Sequence, residues 1–188
     1  MASTILQTAR MRLREMTWED APNLLGIFSD AEAMRYYRST KDEAGTIEWI
    51  RHHLTSYKLW RLGLWIAELK ATSAFVGQCG LVMQRVEDRP EVEIGYLLLR
   101  KFWGQGLATE AALACRDYGF HQLEYPRLIS LIDSRNKASI RVAEKVGMQF
   151  EKEVEMFEKR VCMYAIECEA LANDTEGNPS HSPRDGIF

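Results

Sequence analysis

Hydrophobic and polar positions change period several times along this chain, and each change predicts an element. Over residues 10–16 polar and apolar side chains alternate, the period-two signature of a strand with one buried face. Thr17, followed by Trp18, Glu19 and Asp20, supplies an N-cap with an acidic first turn, so a helix is expected next. A second helix is predicted from about residue 43 to 57, where Ile47, Ile50, Leu54 and Tyr57 share one stripe at spacings of three and four. Between the two helices, Met34, Arg35, Tyr36, Tyr37 and Arg38 form an aromatic and basic stretch that either lines a mouth or packs at a helix end.

Three apolar runs of β type come next, at residues 62–69, 75–83 and 92–99. They are separated by Lys70-Ala71-Thr72-Ser73 and by residues 84–91, and predict an antiparallel meander. Residues 106–121 carry Leu107, Ala111, Cys115 and Tyr118 on one helical stripe. A short strand over 128–132 is followed by a helix over 136–146 that Gly147 stops, with Met148 placed for a hydrophobic cap contact. Strands over 150–156 and 161–168 complete the pattern. The order β-α-α-β-β-β-α-β-α-β-β gives an α+β fold, α/β by some schemes, with a sheet flanked by helices. From about Ala172 the composition shifts to Asn, Asp, Gly, Pro and Ser. One domain over residues 1–171 and a disordered tail over 172–188 are therefore expected.

Composition narrows the function. With 188 residues, 46% of them hydrophobic, the chain can bury a sizeable core. Lys+Arg 24 against Asp+Glu 27 leaves a net charge of -3, which provides no electrostatic footprint for nucleic acid. No apolar run approaches the roughly 20 residues needed to span a bilayer, and residues 1–14 lack a signal-peptide core, so a soluble, cytoplasmic protein with no membrane partner is expected. Cys79, Cys115, Cys162 and Cys168 show no CxxC spacing and read as buried, reduced thiols. His52 and His53 are adjacent and would diverge by about 100° on a helix, so no metal is expected. No GxSxG elbow or GxxxxGK[ST] loop is present.

The most informative string is Trp103-Gly104-Gln105-Gly106-Leu107-Ala108, which falls between a strand and a helix. Glycines allow close backbone approach, and the free amides of a helix N-terminus make an anion cradle. A plain strand-to-helix turn is the other reading. Thr109 stands where a dinucleotide fingerprint needs a third glycine, and the string arrives after an antiparallel run, so a nicotinamide cofactor is disfavoured.

Together with Val92-Glu93-Ile94-Gly95-Tyr96 before it and Asn136-Lys137-Ala138-Ser139 through Glu144-Lys145-Val146-Gly147-Met148 after it, this string resembles the GCN5-related N-acetyltransferases (GNAT), in the branch related to the ribosomal-protein N-terminal acetyltransferases. The resemblance spans residue 10 to about 168. It implies a mixed, mostly antiparallel sheet and acetyl-coenzyme A as co-substrate, without a metal. It also implies direct transfer of the acetyl group, in a ternary complex, to a primary amine, either a protein N-terminus or a small molecule. In this family the pattern [Q/R]xxGx[G/A] binds the coenzyme's pyrophosphate. Gly106 and Ala108 fit it, Trp103 replaces the usual Gln or Arg, and Gly104, Gln105, Leu107 and Thr109 complete the cofactor-binding loop.

Site roles follow from chemistry and resemblance together. An amine must be neutral to attack, yet a lysine-like amine has a pKa of about 10.4 and an α-amine about 7.7–8.0, so a carboxylate or a water relay must remove a proton. Val92, Ile94, Tyr96 and Leu98 form an apolar face, which puts Glu93 on the other. By resemblance it is the candidate base, with Glu91 a weaker alternative and a solvated surface glutamate the competing reading. A backbone N–H around Leu97 would meet the oxyanion. Backbone groups of Leu97 and Leu99 would pair with the pantetheine. Many relatives protonate the leaving thiolate with a Tyr, but Ala143 holds that position; Ser139 resembles the serine proposed for this task, or is a first-turn helix serine. Asn136 binds the coenzyme, caps its helix, or does both. The acceptor would enter between Tyr36-Tyr37 and a loop at residues 84–90. A coenzyme A binding or sensing module is the alternative function, given weight by the missing Tyr. Exposed sheet edges and the last strands offer surface for a homodimer, which sequence leaves open.

Overall fold

The first described strand is absent from the sequence expectation: β1 (Thr4–Gln7), whose adjacent Ile5 and Leu6 show no alternation. It pairs antiparallel with β2 (Met11–Arg14), in which fully buried Met11 and Leu13 alternate with half-buried Arg12 and Arg14. The structure, a computed structural model, describes residues 3–168, and the tail expected over 172–188 lies outside the described residues. Thr17 opens a single 3-10 turn, Trp18–Asp20, instead of the helix itself; its N–H donates to Asp20 at 2.8 Å. Helix α1 (Ala21–Phe28) follows with Pro22 in its first turn, and α2 (Glu43–Trp60) starts where Asp42 accepts from the Gly45 N–H at 2.8 Å.

The meander is formed by β3 (Gly63–Leu69), β4 (Phe75–Val86) and β5 (Arg89–Leu98), all antiparallel. β4 and β5 continue through the segment expected as a loop and close at Glu87 and Asp88, whose φ values of 46 and 66 mark a two-residue hairpin turn. Its exposed charges look like a loop, but pairing of Gln84 with Glu91 and of Arg85 with Pro90 needs no buried face on both sides. Helix α3 (Leu107–His121), β6 (Arg127–Ile132), α4 (Lys137–Val146), β7 (Gln149–Met156) and β8 (Lys159–Glu167) complete the chain. Gly147 ends α4 at φ 96, and the N–H of buried Met148 reaches back to the Ala143 carbonyl at 3.0 Å, the expected cap.

The eight strands lie in the order β1-β2-β3-β4-β5-β6-β8-β7. Neighbouring residues of β4 show how the helices are distributed. Gln78 accepts from the Trp49 indole of α2, whereas Cys79 lies 3.6 Å, sulfur to sulfur, from Cys115 of α3. Successive side chains of a strand leave on opposite faces, so α1 and α2 cover one face of the sheet and α3 the other, with α4 packed beside α3. All four cysteines are free and buried. Among the described residues no helix is long and apolar enough to cross a membrane.

Candidate active site

The sheet forks at the one parallel junction among the described residues. β5 and β6 share a single register pair, Glu93 with Ile129, and beyond it they part toward their C-terminal ends. Into the gap the Ser130 hydroxyl donates to the Ile94 carbonyl at 2.9 Å, and the Leu131 N–H donates to the Glu93 carboxylate at 3.2 Å; side chains thus take over where the ladder fails. A cavity of about 430 Å³ opens here. Its lining crosses the sheet: Val82, Gln78 and Glu93 project from the α1–α2 face, while Tyr96, Asn136 and Ser139 lie on the α4 side. Tyr96 spans the gap, its hydroxyl donating to the Ser139 carbonyl at 3.1 Å.

Glu93 therefore sits at the crotch of the fork and not on an open surface. Burial pushes its carboxyl up to about 7, against the opposing effect of hydrogen bonds from the Gln84 amide at 2.7 Å and from Leu131. A carboxylate poised near neutrality can accept a proton from an amine or return it to water. Glu91 is held elsewhere, paired with Arg127 at 3.2 Å.

At the open end of the fork the chain leaves β5 and enters α3 through Gly104 at φ 73 and Gly106 at φ 78, both left-handed. Gly106 caps α3 without any side-chain bond, and the Glu110 N–H is bonded to the Gly106 carbonyl at 3.0 Å, so the amides of Leu107, Ala108 and Thr109 are the helix's free donors. No atom lies within 4 Å of the place a Gly104 side chain would occupy, so this backbone is open to close approach. The residues fit a diphosphate: unused amides, a positive helix end and a guanidinium beside them. The guanidinium is that of Arg10, whose Nη1 donates to the Gln105 carbonyl at 3.0 Å while its Nε bonds Glu110 at 2.6 Å. Sequence reasoning missed Arg10 because the contact bridges about a hundred residues. Trp103 points its indole N–H at the Leu98 carbonyl, 2.9 Å away, and Gln105 bonds the Lys101 carbonyl, so both side chains brace the loop.

The expectation for Leu97 and Leu99 is overturned by strand parity. The Leu99 N–H is spent on Val76 of β4 at 3.0 Å, and its carbonyl accepts from Phe102. The Leu97 carbonyl also faces β4, lying 2.4 Å from where a side chain on Gly77 would begin. The Ile94 carbonyl, by contrast, faces the gap, and in an unbroken register its even-numbered successors do the same. Tyr96 consequently turns its backbone groups to the fork, and Leu98 its N–H, the Leu98 carbonyl being taken by the Trp103 indole.

Asn136 caps α4, its side-chain oxygen accepting from the Ser139 N–H at 3.1 Å, and the residue lines the cavity. Ser139 lines the same cavity, and Ala143 is buried with no hydroxyl to offer. Tyr36 and Tyr37 also line it: the Tyr36 hydroxyl donates to the Arg135 carbonyl at 3.1 Å, and Lys159 donates to the Tyr36 carbonyl. The opposite wall comes from the turn between β7 and β8, including Phe157 and Lys159, and not from residues 84–90, which lie outside the cavity lining as part of the β4–β5 hairpin. His53 and Gln78 belong to the wall as well. On a helical wheel His53 falls beside the predicted stripe, but its polarity kept it out; the observed buried face is Thr46, Ile50, His53 and Tyr57.

Comparisons with known proteins agree with this geometry. Residues 10–149 match the acetyltransferase (GNAT) domain family. The chain is 45% identical over 164 residues to the protein YkkB of Bacillus subtilis, covering 87% of this chain and 95% of that one. An acetyltransferase structure from Agrobacterium tumefaciens superposes with a TM-score of 0.77 at 26% identity, over 89% of this chain and 96% of that one. RimL, a ribosomal L7/L12 alpha-N-protein acetyltransferase solved in complex with coenzyme A, shares the fold with a TM-score of 0.75 at 17% identity, over 89% and 99% of the two chains. The family match runs from β2 into the start of β7 and so takes in both arms of the fork and the loop at its mouth; the chain belongs to the GNAT family of N-acetyltransferases.

Proposed function

We propose that this protein transfers an acetyl group from acetyl-coenzyme A directly to a primary amine, carried by a protein N-terminus or by a small molecule, in a ternary complex. The observation that carries the reading is the cavity at the fork: it is lined from the α1–α2 side by an apolar wall and from the α4 side by Asn136 and Ser139, with Glu93 between them, and β5, one arm of the fork, leads on to the open glycine loop that starts α3. Acetyl-coenzyme A, when bound, supplies an activated acyl group.

The protein's own residues then divide the work. Amides of residues 104–109, with Arg10 beside them, hold the diphosphate. The Tyr96 backbone and the Leu98 N–H position the pantetheine arm, and one of the two N–H groups meets developing oxyanion charge. Glu93 removes the amine proton, directly or through a water. The Asn136 amide orients the coenzyme while capping α4. Ser139 offers the proton that a departing thiolate, with a cysteine-like pKa of about 8.5, needs only in part. None of the four cysteines is exposed, which favours direct transfer over an acetyl-enzyme.

The buried Ala143 in place of an acid supports one other reading, a coenzyme-binding module with little turnover. Incubating the protein with acetyl-coenzyme A and an amine panel while following free thiol separates the two. Turnover that drops in the Glu93→Gln variant supports transfer. Tight coenzyme binding with only background thiol release from every amine supports the module.

A further inference from the structure

The turn between β7 and β8 is made of residues that such a turn does not call for. Met156 pairs with Lys159, so Phe157 and Glu158 alone close the hairpin, at φ 56 and φ 60, both left-handed. A turn of this kind favours Asn-Gly, because a side chain on left-handed backbone crowds the carbonyl that follows it. The β4–β5 hairpin closes in the same way with the polar pair Glu87-Asp88. At Phe157 the chain instead holds a bulky ring on strained backbone and leaves it 51% exposed, unfavourable on both counts.

That ring lines the cavity, as does a second exposed aromatic, Tyr37, on the segment between α1 and α2. The two segments are tied together: Arg38 bonds Glu158 at 2.7 Å, and Lys159 donates to the Tyr36 carbonyl. Tyr37 and Phe157 are the immediate neighbours of these tied residues, so their rings stand at one rim. Burial of the Tyr37 hydroxyl and the charge of Glu93 push its pKa well above the ordinary tyrosine value, in keeping with a ring that reaches from the rim toward the candidate base. Phe28, Met34 and Trp49 continue the apolar wall inside. Charge disfavours a second amine there. Among the described residues the cavity's carboxylates are Glu93, the candidate base, and Asp133, already paired with Arg135 at 2.9 Å and Lys159 at 3.1 Å. Arg38, Lys41 and Lys159 share the lining, so a further ammonium group would meet like charge and no free partner.

We propose that Phe157 and Tyr37 clamp the body of the acceptor, so that the substrate is a small primary amine bearing an aromatic ring and not a polyamine or a peptide N-terminus. The ties across the rim, and a volume of about 430 Å³ that the coenzyme's acetyl end must share, suit such an amine better than a peptide chain. Its role as acceptor rests on the acetyltransferase reading; binding of the ring does not.

The test uses 2-phenylethylamine and ethylamine, which differ only in the phenyl group, with spermidine and a tetrapeptide beginning with phenylalanine as the other arms. Kd is measured by titration calorimetry on protein saturated with coenzyme A, which has no acetyl group to transfer, and kcat/KM from thiol release with acetyl-coenzyme A. 2-Phenylethylamine should bind at least about tenfold more tightly than the other three and lead in kcat/KM by a similar factor. Phe157→Asn removes the ring and puts a turn-favouring residue on the left-handed backbone. It should therefore raise Tm by a few degrees, raise the KM for 2-phenylethylamine roughly tenfold, and keep the coenzyme-induced rise in Tm. A rise in KM upholds the clamp; an unmoved KM, as expected of a ring present for packing alone, overturns it. So does any of the other three amines binding as tightly as 2-phenylethylamine. If 2-phenylethylamine binds as expected and no thiol is released, the transfer reading fails and the clamp stands. If thiol is released without preference for the ring, the clamp fails and the transfer reading stands. Should Phe157→Asn not fold, Tyr37→Ser decides, with the same rise in KM expected.

Discussion

Glu93 couples chemistry to stability through one property, the energetic cost of charging a carboxyl among protein atoms. Acting as a base it must be ionised, and with its pKa at about 7 the transfer rate should fall as pH drops below neutrality; a pH profile of kcat/KM checks this. Replacing it by Gln should lower kcat by roughly 10²–10⁴-fold. The same shift has a signed effect on stability. The folded protein holds the proton more tightly than the unfolded chain, whose Glu titrates near 4.5, so the stabilisation is complete below that pH and is lost as pH rises through about 7. Glu93→Gln should therefore melt at a higher temperature than the native protein at pH 8 and lose most of that advantage at pH 4, even as activity falls. Ser139→Ala should cost less, under about tenfold in kcat, because a thiolate is a tolerable leaving group.

At the scale of elements, the loop into α3 illustrates what a motif says and what it leaves unsaid. Trp103 to Ala108 left open an anion cradle or a plain strand-to-helix turn; its left-handed glycines and unbonded helix amides were legible because they are local properties. A side chain on Gly106 would meet nothing nearer than Arg10 at 3.6 Å, so Gly106→Ala is penalised through its φ of 78. The expected cost is about 1–2 kcal/mol, seen as a lower Tm together with a weaker coenzyme Kd by titration. Asn136→Ala should remove the α4 cap for about 1 kcal/mol and also weaken coenzyme binding, whereas a residue serving only as a cap would leave the Kd unchanged. The error over Leu97 and Leu99 has the opposite lesson. Which of two adjacent residues turns its amide to a ligand depends on strand pairing, set here by the β4–β5 hairpin on one side and by β6, distant in sequence, on the other.

For the whole molecule, the two halves of the sheet, β1 to β5 and β6 to β8, share a single parallel pair among the described residues. Coenzyme at 100 times its Kd should add about 2.7 kcal/mol to stability, readable as a rise of several degrees in Tm. Absence of any rise would leave the cavity without its expected occupant.

Periodicity by itself determined most strands, all the helices of more than one turn, the Gly147 stop and the alternation that set Glu93 apart, because these depend on neighbours within a turn or a strand. It could not reveal β1, where Ile5 and Leu6 stand side by side without alternation, or the hairpin hidden in residues 84–91, whose charges resemble a loop. Tertiary structure alone decided that β5 and β6 diverge, that Glu93 stands where they part, that Arg10 crosses to the α3 loop, and that His53 is buried in the wall of the cavity. Each of these depends on which distant segments become neighbours, and that is settled only when the sheet assembles and buries its two faces.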